Sequence, residues 1–494
     1  MTELSTSAQV ADEICEECGY EPELKRTLGS FQVFAISFAS MSVAIGIFST
    51  YDDVLQNSGP VGIWLWIIVL VGQLLIALVY AQFAARIPLT GSSYQWGSRL
   101  ASPKIGWMFG WLAICGAAIG IAAIDSALAS QAFMPLFGIP ANEGTARLIA
   151  LIALAIQTVV AIYSTRIVGL INSAAVGLEL VIVVGLGIAL VIAVVARGSL
   201  STSNLFSRGI AEHAPNYFGV GGGLMLAMLM GLATLVGFEA AANMAEEAKD
   251  PFRSVPRAMI GSVLASGVLG LLFVIALTVS IQDIARVSAS ESSVALIIHD
   301  QLGSVVERLL LVGIIFAFFG GGLVPMATCP RIVFAMSRDE RFPGYRLLRR
   351  VNPRTQTPIP ATILIFAVAV VLMVALPGAA LLQLIQASAI VGTLLYGMTV
   401  VLYLGVRKRL DRRESGFELG RFEVPVAVGA LVWVAAVLFI VISPSNSRVA
   451  VLITVGLLVV GGVYLAYLWF AKREVLDQEP GEDIFNTVDE EVTK

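Results

Sequence analysis

Apolar runs alternate along the whole chain with short polar segments. A helix needs about 20 mostly apolar residues to cross a bilayer core. On that criterion twelve segments qualify: 31–54, 62–84, 107–134, 146–163, 168–196, 218–242, 256–281, 306–330, 358–377, 380–404, 424–443 and 449–470. The pattern predicts an all-α integral membrane protein with twelve transmembrane helices.

The polar segments predict an orientation. With both ends of the chain on one side, twenty-five Lys and Arg residues fall on that side. The other side receives only Arg147, Arg197, Arg208, Arg286, Arg308 and Arg448. Basic residues concentrate in cytoplasmic loops, so both termini are expected in the cytoplasm, with the spans in the cytoplasmic membrane. The same split requires an even number of spans, because one missed helix would scramble it. Residues 1–30 are polar and acidic (Glu3, Asp12, Glu13, Glu16, Glu17). They lack the basic region and cleavable apolar core of a signal peptide, so the first span is expected to be retained.

Composition narrows the function classes. Of 494 residues, 57% are hydrophobic and 13% charged, about half the charged share of a soluble domain. No basic block with interleaved aromatics points to nucleic acid. No phosphate loop or nucleophile elbow points to an enzyme. Cys15 and Cys18 form a C-x-x-C in the polar tail, without the second ligand pair that zinc requires; an incidental pair in a reducing cytosol competes with a metal or redox role. Cys115 and Cys329 lie in apolar segments, and His213 and His299 are expected in separate loops. No metal or cofactor is predicted.

Two spans share an interruption. The first reads Ser40-Met41-Ser42-Val43-Ala44-Ile45-Gly46-Ile47-Phe48 and the sixth Gly231-Leu232-Ala233-Thr234-Leu235-Val236-Gly237-Phe238-Glu239. Each places small residues and a β-branched–Gly–apolar step near mid-span. Matching breaks in two halves of a chain point to an inverted-repeat transporter, with unwound backbone free to bind a polar solute. Mid-span glycine also serves close helix packing, and on pattern alone both readings stand.

Longer motifs bear on the choice. They are Gly237-Phe238-Glu239 through Asp250-Pro251, followed by Val255-Pro256-Arg257-Ala258; Arg86-Ile87-Pro88-Leu89-Thr90-Gly91; and Phe334-Ala335-Met336-Ser337-Arg338-Asp339-Glu340-Arg341-Phe342-Pro343. Together they resemble the amino acid–polyamine–organocation transporter superfamily. Leu28-Gly29-Ser30-Phe31, Gly46-Ile47-Phe48 and Asn57-Ser58-Gly59-Pro60 look most like its amino acid/choline branch, which includes GABA and choline permeases. The resemblance runs from about residue 24 to 475.

It implies a LeuT-type fold: repeats over 31–196 and 218–405, two appended helices over 424–471, and cytoplasmic tails over 1–30 and 472–494. It also implies secondary active import of an amino acid or related amine (GABA, choline, a polyamine) by alternating access. An exchanger and a non-transporting sensor are the competing readings.

Within the family the first break commonly reads Gly-Ser-Gly, whose amides hold a substrate carboxylate. The matching triplet here is Ala44-Ile45-Gly46, so the amides remain and the hydroxyl does not. The expected substrate-binding set is Ser42, Ala44, Ile45, Gly46 and Phe48 facing Leu235, Val236, Gly237 and Phe238. A quaternary ammonium would need aromatic faces, for which Phe48, Tyr51 and Phe238 are candidates.

Ionisable residues inside a membrane default to functional hypotheses, and away from span ends these are Asp125, Glu179 and Glu239. Glu179 stands seven residues after Asn172, where some proton-coupled relatives carry a lysine. It reads as a proton-coupling group or a counter-ion, against a carboxyl hydrogen-bonded for packing. Glu239 reads as a gating or helix-positioning residue. Asp52 and Asp53 either attract cations at the outer mouth or cap the span. Sodium-binding relatives use a hydroxyl pair on the eighth span; Phe318-Phe319-Gly320-Gly321-Gly322 has none, so protons are expected as the coupling ion. The run Arg338-Asp339-Glu340-Arg341 is read as fixing topology, and by resemblance as an inner-gate network.

Overall fold

The computed structural model describes residues 28–477 together with Ala11 and Arg26, apart from 88–91, 164, 215, 291, 353, 356, 376–379, 411–416 and 445–446. Cys15 and Cys18 lie outside the described residues. Among the described residues the chain is helical throughout, and its β-contact is the isolated parallel bridge Leu28–Ala248. Among the described residues eleven helices are long and apolar enough to cross a membrane, and a further apolar helix, Ile359–Ala375, has 17 residues. The chain is a multi-pass membrane protein.

The first span divides into α1 (Ser30–Met41) and α2 (Val43–Asn57). Then come α3 (Leu65–Ala84), α4 (Pro103–Ala127), α5 (Glu143–Tyr163) and α6 (Thr165–Leu180). A wider π-turned stretch, Val181–Leu186, carries α6 on into Gly187–Ala196. Next are α7 (Gly223–Thr234), a 3₁₀ segment Phe238–Glu247, α8 (Pro251–Val279) and α9 (Ser304–Arg338). The last four are α10 (Ile359–Ala375), α11 (Ala380–Val406), α12 (Glu423–Ile442) and α13 (Arg448–Ala471).

Prolines mark where hydropathy misplaced two ends. The pattern predicts a start at Pro256 and a stop at Pro330, yet α8 begins at Pro251 and α9 runs through Pro325 and Pro330 to Arg338. Pro251 occupies the first helical position, where no amide bond is lost. Interior prolines persist in membrane helices because neighbouring groups re-satisfy the freed carbonyls. His299 is a second correction: it lies in the short helix Ser293–Leu302, not in a loop, with Nδ1 2.7 Å from Glu307 Oε2.

Lipid tails are as apolar as leucine, so close approach and hydrogen bonds hold the bundle. Indoles fill notches left by glycine. Trp66 lies against Gly270 and donates Nε1 to the Gly267 carbonyl at 2.8 Å. Trp111 lies against Gly461 and donates to the Leu457 carbonyl at 2.9 Å. The buried residues of α13 are Ala450, Thr454, Gly461 and Leu468, a single stripe that places this helix at the rim.

Before α1, a short stretch is tied to the end of the 3₁₀ segment. Leu28 N–H donates to the Glu247 carbonyl at 2.9 Å, and Lys249 N–H donates to the Leu28 carbonyl at 3.0 Å. Arg26 adds a guanidinium bond to the Ala248 carbonyl at 3.1 Å. The run after α9 is similarly pinned. Tyr94 donates to Asp339 Oδ2 at 2.8 Å, and the buried Arg341 donates to Ser98 Oγ at 3.2 Å and to the Val475 carbonyl at 3.1 Å.

Candidate functional site

The first break is a single residue. Ser42 adopts φ 38°, ψ 82°, a left-handed conformation that costs a non-glycine residue about 1 kcal/mol or more. It falls two residues before Ala44-Ile45-Gly46, and that triplet forms the first turn of α2. A helix begins there in mid-span with its first amides lacking intrahelical partners. One of them is met by a distant residue: Ala44 N–H donates to Glu179 Oε1 at 2.9 Å. Glu179 is 4% exposed.

The second break is longer. α7 ends at Thr234, Leu235 takes φ −89°, ψ 45°, and Gly237 takes φ 94°, ψ 2° before the 3₁₀ turns start at Phe238. A positive φ of this size suits glycine. Space requires glycine as well, since a Cβ there would lie 2.7 Å from the Ser40 carbonyl oxygen. Phe238 is anchored by its carbonyl, which accepts from Ser37 Oγ at 2.7 Å, while Ser37 also pairs with Ser262 Oγ at 2.8 Å.

Tyr396 of α11 spans the second break. Its hydroxyl accepts from Gly237 N–H at 3.2 Å and donates to Glu239 Oε2 at 2.9 Å. Its ring stacks on Phe238 with centroids 5.3 Å apart, and Tyr80 meets both rings edge-on at 5.5 and 5.6 Å. Phe238 is thus in an aromatic cluster with Tyr80 and Tyr396. Tyr51 directs its hydroxyl to Thr278 Oγ1 at 2.8 Å, and Phe48 is buried in the core. Tyr80 and Tyr396 escaped the sequence reading. A tyrosine within an apolar helix was the available signal, since a buried hydroxyl needs a partner.

The two breaks adjoin. Gly46 lies so close to Thr234 that a Cβ would overlap its hydroxyl, and Ser40 abuts Gly237. Around them Ala44, Ile45, Gly46, Leu235 and Phe238 are buried, while Ser42, Val236, Gly237 and Glu239 are half-buried and Ser40 is exposed. The accessible surface therefore gathers on the half of the breaks that leads toward Leu28 and Lys249. The half leading toward Asn57 is packed shut by Phe48, Tyr51, Val54 and Leu55.

Asp125 stands apart from the breaks. Gln157 donates to its Oδ1 at 2.7 Å and to the Phe319 carbonyl at 3.2 Å, while Asp125 Oδ2 and Gln157 Oε1 are buried without a partner. Three consecutive glycines of α9 explain the packing here, because successive residues of a helix point about 100° apart. A Cβ on Gly320 would meet Ala175, one on Gly321 would meet Ile45, and one on Gly322 would meet Gln157 and Asp125. Asp52, at the end of α2, receives Gln131 Nε2 at 3.3 Å. Among the described residues no group of His, Cys, Asp and Glu could hold a metal ion.

The amino acid permease family profile matches residues 28–464. The amino-acid permease BAT1 homolog of Oryza sativa subsp. japonica is 27% identical over 446 residues, covering 85% of each chain. Amino-acid permease 2 of Neurospora crassa is 26% identical over 92% of this chain and 86% of its own. The GABA-specific permease of Saccharomyces cerevisiae is 25% identical over 92% of this chain and 83% of its own.

Proposed function

This chain belongs to the amino acid permease family, and on that premise we propose that it imports an amino acid or related amine by proton-coupled alternating access. The observation that carries the reading is the pair of adjoining mid-membrane breaks, at Ser42 and at Leu235–Gly237. They interrupt the helical hydrogen bonding in mid-span and so offer backbone groups to a polar solute. Substrate lies between them, against Ser42, Ala44, Ile45, Gly46 and Phe48 on one side and Leu235, Val236, Gly237 and Phe238 on the other. Names borne by relatives, among them a GABA-specific permease, favour amino acids and their amine derivatives.

The architecture follows the same reading. The eleven long helices and Ile359–Ala375 make twelve spans, with the first ten arranged as inverted repeats of five and both termini in the cytoplasm. In that orientation the accessible side of the breaks is the cytoplasmic one, so the conformation is inward-facing. Glu179 and Glu239, one beside each break, are the coupling and counter-ion groups. Proton coupling is supported by the buried Glu179 and the half-buried Glu239, and by the side chains of Ile45, Gln157 and Asp125 that fill the space beside Gly321 and Gly322.

Uptake into proteoliposomes tests the reading. A panel of GABA, choline, ethanolamine, polyamines, and neutral and basic amino acids is run at two pH values, with and without an inward proton gradient. At least one solute is expected to accumulate against its gradient, saturably, with trans-substrate stimulating exchange. Non-saturable flux, or none for any solute, overturns it. Glu179→Gln is expected to abolish stimulation by the proton gradient; a variant with wild-type rate and pH dependence removes Glu179 from the coupling path.

A further inference from the structure

The bond between Ala44 N–H and Glu179 Oε1, 2.9 Å long, joins α2 to a helix 135 residues away. The start of a helix attracts anions, because its free amides and macrodipole point the same way. Here the protein supplies its own carboxyl group. Glu179 is held by rigid packing, since it stands one turn beyond Ala175, and Ala175 seats on Gly320 closely enough that a Cβ there would lie 2.7 Å away. A tethered group of this kind competes with any free carboxylate at high effective concentration.

The charge around the breaks points the same way. Glu239 stands at the second break, fixed by Tyr396 at 2.9 Å. The segments 31–54, 170–196, 223–247 and 380–404 contain no Lys, Arg or His. A solute bringing a further carboxylate would meet a carboxyl group on both sides, whereas an ammonium would be stabilised there.

We infer that Glu179 is a specificity-determining residue: it occupies the amide at the start of α2 and so restricts the cleft to amines with no carboxylate beside the ammonium. This rests on the reading that the cleft between the breaks is the transport site. Alkyl monoamines and diamines fit; α-amino acids do not.

Matched pairs differing only in the α-carboxylate test the inference: 1,5-diaminopentane with lysine, and 3-methylbutylamine with leucine. Affinity is read from ligand-dependent thermal stabilisation of the purified protein, and transport from uptake into proteoliposomes. In the wild type the amine of each pair is expected to bind about a hundredfold more tightly than its parent amino acid, about 2.8 kcal/mol at ~1.4 kcal/mol per tenfold. Glu179→Gln keeps an acceptor for Ala44 but no charge, and the preference is expected to fall below about tenfold. Glu179→Asp, which retains the charge, keeps the preference and serves as the second variant if the glutamine variant does not fold. Wild-type protein that binds the amino acids as tightly as the amines overturns the inference while leaving the transport reading intact. An unchanged ratio in Glu179→Gln, or a preference lost in a folded Glu179→Asp, also overturns it. Absence of transport for these pairs and for the whole panel overturns both.

Discussion

Gly46 and Thr234 meet across the two interrupted spans with no room for a methyl group between them: a Cβ on Gly46 would fall on Thr234 Oγ1. The Thr234 hydroxyl is already committed, donating to the Met230 carbonyl at 2.6 Å, so rotating it away would break that bond. Gly46→Ala is therefore expected to destabilise the protein by about 1–3 kcal/mol, the usual cost of overpacking. Thr234→Ala in the same chain should recover part of that loss, because the hydroxyl and methyl both leave. Thermal unfolding in detergent, paired with uptake, checks this; wild-type behaviour of the single variant contradicts the close approach.

Tyr396 separates two contributions at the second break. Tyr396→Phe keeps the stack on Phe238 but removes the hydroxyl shared by Gly237 N–H and Glu239, and a hydrogen bond to a charged group is worth about 1.5–3 kcal/mol. Uptake is expected to fall at least about tenfold with the fold retained. Tyr396→Leu also removes the ring and should lower the unfolding temperature as well. Equal effects of the two variants on stability would mean that the hydroxyl, not the ring, holds the break.

How far the sequence alone reaches can be judged from these residues. Apolar run length located the membrane helices, because lipid forbids unpaired backbone and so makes spans long and uniform. Gly237 was legible too, since a glycine inside an apolar run marks a backbone that turns unusually or is closely approached. The first break was legible to within Ser40–Phe48, but its placement on Ser42 was not, because a left-handed serine has no sequence signature. Glu179 stood out as a buried carboxylate, but its partner Ala44 did not: a backbone amide is the same in every residue. Gln157 and Tyr396 were missed for a related reason. Their roles come from neighbours 32 and 157 residues away, and one sequence does not carry that pairing.

Gln157 is the donor that Asp125 Oδ1 depends on. Gln157→Leu leaves the carboxyl without it, at a cost of about 1–3 kcal/mol for a buried unsatisfied group. Replacing both residues by apolar side chains of similar size should cost less than the single change. Thermal unfolding of the two single variants and the double variant measures the coupling. Strict additivity would show that the 2.7 Å contact contributes nothing.

The packing of the three glycines bears on the coupling ion. Ile45 is seated on Gly321, and the bonded pair Gln157 and Asp125 lies beside Gly322, so side chains already fill the space where the first span and its neighbours meet α9. Replacing sodium by potassium at fixed pH is expected to leave initial uptake unchanged. Collapse of transport in potassium would place a sodium site in the protein and displace protons as the driving ion.

The short tie near the start of the described chain sets how the breaks can move. Leu28 is hydrogen-bonded to both Glu247 and Lys249, and Arg26 clasps Ala248. These contacts form a crossbar between the segment before the first break and the segment after the second. Two half-helices joined in this way are expected to move as one part, with Ser42 and Leu235–Gly237 as its pivots. If the breaks act as hinges, this crossbar makes them one lever rather than two independent gates, and a load applied at either is expected to be felt at the other.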